Sequence, residues 1–343
     1  MAVLGNTALT LSDWRKRMAP DGSVDFIIEA LMNSNPIMDD VPWMMGNLTD
    51  GNKTTLRTSI PTPSVRRINR GVDRSKSQTE QVTDTTIILE DRSVVDIELL
   101  AIAQNAEAFR RSEDAAFVAG FSDAVAQNIF YGDSSEGAGR QFNGISKRYD
   151  EYGGTKKNTA AYQVISAGTP SASGHNTSAF FVGWGTHATT GIYPKGSQLG
   201  LQQRDLGENT VTDADGREYQ AVTTLFTWKC GLAVGDIRAN ALVRNIDVDG
   251  LASLTAAQKL KLIENFVRAK NRIRSLQSRD KKVVLYVSDE VYNFFELYLL
   301  DKTNVHVTRQ ELMNAAPQLY LSGIPIKKCD AISEEEPAIP AVS

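Results

Sequence analysis

Cysteine is nearly absent from this chain: Cys230 and Cys329 are the two in 343 residues. Two distant thiols supply neither a disulfide framework nor a metal-binding spacing, and such usage suits synthesis in a reducing cytoplasm. Histidine occurs three times, at His175, His187 and His306. None forms an HExxH-type helical pair, so a zinc hydrolase has no support. No GxSxG nucleophile elbow and no GxxxxGK[ST] phosphate loop occurs. A dispersed catalytic site stays open, because triads assemble in space and not along the chain. No apolar run reaches the roughly 18 residues of a membrane-spanning helix, and the first ten residues lack the basic-then-apolar order of a secretory signal. A formal net charge of -4 argues against a dedicated nucleic-acid binder. We therefore expect no catalytic residue, no cofactor, no metal and no membrane.

What remains is ordinary globular composition, 41% apolar and 23% charged, with length enough for one large domain or two to three smaller ones. Residues 25–32 (DFIIEALM) predict a short helix. Residues 35–46 (NPIMDDVPWMMG) read as an apolar strap containing Trp43, laid over its own core or over a neighbour. Two β-prone runs, 54–60 and 79–89, flank a Pro-, Ser- and Arg-rich stretch. The simplest shape is a long antiparallel arm with a polar tip. Arms of some 15 residues span about 50 Å. Such a ribbon is marginal alone and needs a surface to lie on, which points to a neighbouring subunit.

Residues 94–131 read as one helix. Val95, Leu99, Ile102, Ala106 and Phe109 recur at helical steps, and Phe117, Phe121, Val125 and Ile129 continue the stripe. Ser93 is a candidate cap, Gly132 a stop, and Gly120 a concession of about 1 kcal/mol to close packing. Residues 137–250 are β-rich, with strands near 179–184, 219–229 and 241–246 and a turn at 213–216. Thr255 and Gln258 fit a capping box for a helix over 255–279 whose apolar face is Leu260, Ile263, Phe266, Val267 and Ile273. Residues 283–287 (VVLYV) read as a buried strand, Ser288 as the cap of a helix to about Leu300, and residues 319–326 as a closing strand with a Gly-Ile-Pro turn. The acidic tail 333–343 reads as loose. Segregated helices and strands predict an α+β fold.

Two clusters invite chemistry. Residues 245–250 (NIDVDG) match the start of a calcium loop, but position 12 falls on Ala256 where a bidentate Glu is needed, so an Asp-Gly turn is the better reading. The basic set Arg57, Arg66, Arg67, Arg70, Arg74 and Lys76 lies on the proposed arm. It can meet nucleic-acid phosphates, dock on an acidic surface of an adjacent subunit, or stay solvated and extended by self-repulsion. The absence of aromatics at the tip counts against base stacking. Glu107, Glu113 and Asp114 on the long helix are the acidic groups we pair with it, by charge alone.

The passages 35–47 (NPIMDDVPWMMGN), 104–149 (QNAEAFRRSEDAAFVAGFSDAVAQNIFYGDSSEGAGRQFNGISKRY), 191–247 and 320–332 (YLSGIPIKKCDAI) carry a resemblance. The third includes GIYPKGSQLGLQQRDLGE and TWKCGLAVGDIRANALVRNID. Their order resembles the tailed-bacteriophage major capsid proteins, in the podovirus-type "gene product seven" branch of the HK-ninety-seven-type fold. The resemblance implies a self-assembling shell subunit of a virion, not an enzyme. It implies an N-terminal arm over 1–50, an extended hairpin (E-loop) over 51–92, and a peripheral domain with a spine helix over 93–150. A β-rich segment of open placement follows over 151–250, then an axial domain over 251–318 and a return strand and tail over 319–343. Implied partners are other copies, in pentamers and hexamers, with a decoration or cement protein, a portal, and weak non-specific contact with packaged double-stranded DNA. The short stretch before residue 51 leads us to expect a separate scaffolding protein. Lys53 and Lys76 lie where some relatives cross-link, but nothing marks them as reactive, and we expect non-covalent locking. The rivals are a cellular nanocompartment shell of the same fold, another virion structural protein, a dispersed-site enzyme and a DNA-binding protein.

Overall fold

The computed structural model describes residues 35–343 apart from 103–104, 136–140, 172, 213–214, 275–280, 301–306, 311–317 and 343. The predicted helix at 25–32 and His306 lie outside the described residues. Among the described residues thirteen strands join in one mixed sheet. They are β1 (Trp43–Met45), β2 (Gly51–Ser59), β3 (Gln78–Asp96), β4 (Val164–Ser166), β5 (Asn176–Trp184), β6 (Thr189–Tyr193), β7 (Leu201–Thr212), β8 (Glu218–Val234), β9 (Ala241–Asp247), β10 (Lys282–Val287), β11 (Val307–Gln310), β12 (Gln318–Leu321) and β13 (Ile324–Lys328). The main path runs β11-β12-β13-β10-β5-β6-β8-β3-β2, with β1, β4, β7 and β9 attached beside it. The long helices are α1 (Ala106–Tyr131), α2 (Ala256–Arg272) and α3 (Asp289–Leu299).

The centre of the sheet is buried on both faces, and the two-residue period of a strand sorts its side chains. On β5, Phe180, Val182 and Trp184 enter one core with Val125, Ile129 and Phe130 of α1. Ala179 and Phe181 enter a second core with Ile263 and Phe266 of α2 and Phe295 of α3. On β10 the same alternation sends Val284 and Tyr286 one way and Leu285 and Val287 the other. This explains why residues 283–287 are apolar without a break: a strand covered on both faces loses its polar alternation.

The arm forms as expected from its β-prone runs. β2 pairs antiparallel with the first part of β3, from Gly51↔Thr85 to Ser59↔Gln78. β3 then continues into the body, where Thr86 to Asp96 pair with Gly231 to Ala221 of β8. At the arm base a Cβ on Gly51 would stand 2.0 Å from the Asp84 carbonyl oxygen, so only glycine fits there.

That continuation corrects the helix reading. Ser93, Val94, Val95 and Asp96 are strand, and Ser93 is buried in the ladder instead of capping a helix. The helical spacing of Val95 and Leu99 competes with β8 for the backbone, and the ladder wins. A short helix at Ile97–Ile102 follows, then α1 starts afresh at Asn105, whose side chain accepts from the Ala108 N–H. Helix α1 is about 39 Å long at 1.5 Å per residue. Gly132 ends it by close approach, since a Cβ there would lie 2.3 Å from the Phe142 carbonyl oxygen. Gly120, in contrast, meets nothing within 4 Å, so close packing within the subunit does not account for it.

Other readings shift by less. The Thr255–Gln258 capping box is formed, but α2 ends at Arg272 and Leu260 faces solvent, with Leu262 buried in its place. Ser288 precedes α3 without a side-chain cap. The predicted closing strand is a hairpin, β12 to β13, turning at Ser322 and Gly323, both with positive φ. It packs in the second core, while Cys329, Ala331 and Ile332 join the first.

The tail is not loose. Glu336 is 4% exposed and anchors it. Its carboxylate accepts from the Arg244 guanidinium at 3.0 Å, from the Ser178 hydroxyl and from the Tyr131 hydroxyl. Further out, Ile339 N–H donates to Asn245 and Val342 N–H to the Tyr152 carbonyl. An acidic stretch reads as solvated until its buried cation is known.

Candidate assembly site

The basic residues sit together at the arm. Arg57 is exposed on β2, and Arg66, Arg67, Arg70, Arg74 and Lys76 are exposed on the tip between β2 and β3. A turn shapes part of the tip: the Arg70 N–H donates to the Arg67 carbonyl, the Arg66 Nε to the Arg70 carbonyl, and Asn69 takes a φ of 61°. The tip is not merely charged. Val65 is 96% exposed and Ile68 92%. These apolar side chains lie outside both cores and beside the tip's cations, which makes the tip a candidate contact surface.

The base of the arm is fixed. Asp84, 3% exposed on β3, receives an ion pair from Arg148 at 2.7 Å. Arg148 also donates to the carbonyls of Leu232 and Asn143. Nothing in the sequence flagged this pair, whose members lie 64 positions apart.

The acidic candidates are engaged within their own subunit. Glu107 accepts from Arg111 at 2.5 Å, one helical turn on. Asp114 accepts from Gln203 at 2.9 Å and from Ser93. Burial outweighs these bonds and the nearby Arg110, and its carboxyl is pushed above the usual range. Glu113 is half-buried beside it. Arg110 reaches Asp205 at 3.0 Å and Thr224 at 3.1 Å, so this end of α1 is tied to the β7–β8 hairpin. Trp43 is likewise in use: it lies 6.2 Å from Trp228, and a Cβ on Gly191 would strike its ring at 2.6 Å.

The strap holds a second buried acid that sequence reasoning missed. The Asp40 side chain is 2% exposed and takes Lys282 at 2.6 Å, Lys327 at 2.7 Å and the Tyr286 hydroxyl at 2.7 Å. Burial alone raises its carboxyl, but the bonds from Lys282, Lys327 and Tyr286 prevail and hold it below the usual value. A folded-state value below the unfolded one gives stability that is present above about pH 4 and lost as pH falls through the folded value. We expect an acid limb in a plot of thermal midpoint against pH from 6 to 2, and a flatter limb in Asp40→Asn. Identical limbs would separate Asp40 from acid unfolding.

One grouping among the described residues brings a hydroxyl, an imidazole and a carboxylate together. Ser173, His175 and Asp249 meet, but the Ser173 hydroxyl donates to Asp249 at 2.7 Å and not to the imidazole, so the three do not form a Ser-His-Asp relay. Asn245 of the calcium-like segment is buried in β9 and donates to Ser166 and Ile339. Among the described residues no group of three or more His, Cys, Asp or Glu could hold a metal, and no helix is long and apolar enough to cross a membrane. Both cysteines are buried, and burial pushes each thiol up to about 12.

Comparison with known proteins settles the family. No curated protein sequence matches the chain. A solved structure of bacteriophage Epsilon15 is similar at 27% identity and a TM-score of 0.76, covering 99% of each chain. The capsid of bacteriophage JBD30 shares the fold at 12% identity and a TM-score of 0.51, over 90% of this chain and 95% of that one. The profile of the family described as "Major capsid protein GP7" matches residues 19–340. By that match the chain belongs to the GP7 family of major capsid proteins, structural subunits of a phage virion.

Proposed function

We propose that this capsid subunit closes into the pentamers and hexamers of an icosahedral head around double-stranded DNA, and that the arm over 51–92 is the element that reaches the next copy. The observation that carries this reading is the tip itself: a fixed base, two paired strands, and an end that is both cationic and apolar with its side chains in solvent. A head-to-tail contact of this kind closes rings. Each contact is modest, but a subunit engaged on several sides gains by avidity. Acidic groups near Glu107, Glu113 and Asp114 on a neighbouring α1 are the complementary surface. Trp43 contributes indirectly, by stiffening the strap beneath the arm. The two cores support a division into a peripheral domain around α1 and an axial domain around α2 and α3, with the β12–β13 hairpin in the latter. A separate scaffolding protein, a cement protein and a portal complete the partners, and contact with packaged DNA is weak because the chain is net negative. Synthesis takes place in the cytoplasm of the host.

The direct test is negative-stain electron microscopy of the purified chain beside sedimentation velocity. Rings of five or six, or closed shells, support the reading. A compact monomer at high concentration, with and without crowding agents and with candidate scaffold added, overturns it.

A further inference from the structure

An apolar groove of about 490 Å³ runs between α1 and β3. Leu89, Phe117 and Phe121 line it, and the two phenylalanines are braced by Phe226 at 5.6 and 6.3 Å. Midway along the helical wall Gly120 leaves a notch, since nothing lies within 4 Å of where its Cβ would be. From Phe117 to Ala124 that wall is about 10 Å long at 1.5 Å per residue. Glu90 and Asp91 stand exposed on the strand side. Arg92 reaches Glu90 at 3.6 Å, so this rim keeps a net negative charge.

The arm tip carries the opposite pattern. Val65 and Ile68 are 96% and 92% exposed and bracket Arg66 and Arg67. Three residues apart, their Cα atoms span at most about 10 Å, the length of the groove wall. An end that is apolar and cationic thus matches a groove that is apolar and acid-rimmed. A subunit does not reach its own groove with its own tip. β3 is continuous from Gln78 to Asp96, and its pairing with β2 holds the arm extended as far as Gln78. Beyond that point the two sides stay together, with the Ser75 hydroxyl donating to the Thr62 carbonyl at 3.4 Å. Gln78 lies about 36 Å along the strand from Leu89, and the tip lies farther out still. The tip that fills a groove therefore belongs to another copy.

We propose that Val65 and Ile68 of one copy seat in this groove of the next, with Ile68 in the Gly120 notch and Arg66 and Arg67 against Glu90 and Asp91. The inference rests on the shell reading above and names the surface that receives the arm. Within the subunit the bare backbone at Gly120 meets nothing; between copies it makes room for a side chain. Full-length subunits carrying Ile68→Cys, mixed with subunits carrying Gly120→Cys under mild oxidation, test the contact. The native thiols are buried and stay silent. We expect a disulfide between copies to form at least tenfold faster than between Ile68→Cys and Leu300→Cys, a position 79% exposed at the end of α3. Adding Glu90→Lys and Asp91→Lys to the Gly120→Cys partner should slow it at least fivefold. Gly120→Leu fills the notch. It should cut the yield of rings and shells at least tenfold while the thermal midpoint holds or rises, because leucine favours a helix over glycine. Shells that form without the disulfide overturn the proposal and leave the shell reading standing, as do normal shells from Gly120→Leu. A chain that neither links nor associates overturns both. A thiol shielded from a soluble maleimide in assembled Gly120→Cys, yet never joined to Ile68→Cys, gives the groove to another occupant and overturns the proposal.

Discussion

Replacing Arg66, Arg67 and Arg70 together by Glu is expected to abolish rings and shells while leaving a folded subunit. Three charges of +1 become three of -1, a change of six at each tip. All three side chains lie in solvent, so the folded subunit loses no internal partner except a bond from Arg66 to a neighbouring carbonyl. Each exposed pair with a neighbour is worth only about 0.2–1 kcal/mol. Reversal, however, turns attraction into repulsion at every copy of the contact, and avidity then multiplies the loss instead of the gain. The companion variant, with Gln at the same positions, removes the attraction alone and should slow assembly without preventing it. Circular dichroism and thermal midpoint should match the parent in both. Normal shells from the Glu variant would remove the arm charges from the mechanism. Raised salt should weaken the parent contact in the same sense, because exposed charges are screened over about 8–10 Å.

The largest effect on the subunit itself is expected at Glu336. Glu336→Ala removes the one carboxylate from a site where the Arg244 side chain is 5% exposed. Arg244 keeps bonds to the carbonyls of Ser146 and Tyr149, but its charge is left without a counter-charge in a buried setting. Breaking a buried pair from one side costs about 3–5 kcal/mol. For a chain of this length that lowers the thermal midpoint by roughly 4–7 °C, taking about 2.1 cal/mol/K of unfolding entropy per residue. The double variant Glu336→Leu with Arg244→Met removes both charges, and it should be less destabilised than the single variant. If the single and double variants lose equal stability, the carboxylate acts by packing and not by charge.

The contrast between these two sites shows where the sequence is readable. The arm was legible because its signals are local: two Thr-rich, β-prone runs around a stretch of Pro, Ser and Arg. The start of α2 was legible for the same reason, since Thr255 and Gln258 form their cap within four residues. The start of α1 was misread because Val95 and Leu99 satisfy a helical spacing that the pairing of Val95 with Val222 and of Asp96 with Ala221 overrides. Leu260 was misread because a stripe two residues wide can turn either edge to solvent. The tail was misread most completely. Glu336 acquires its meaning from Arg244, 92 positions away, and no local pattern encodes that. Asp40 is the same case, with Lys282 and Lys327 supplying its partners from the far end of the chain. For the acidic candidates on α1, charge was visible in the sequence, but their engagement with Arg111 and Gln203 was not.

The continuity of β3 has a mechanical consequence. Arm and body share one uninterrupted strand, so the subunit has no hinge between them on that side. A pull along the arm is delivered directly to the ladder with β8, where eleven residue pairs from Thr86 to Asp96 carry it in parallel. Load along a strand axis shears such a ladder, and its bonds must give way together; load across it would peel them one at a time. A head pressurised from within stretches its wall tangentially. On the proposed reading, in which the arm links neighbours, a wall joined by continuous strands meets that tension in its strongest direction, with the arm as a tie rod.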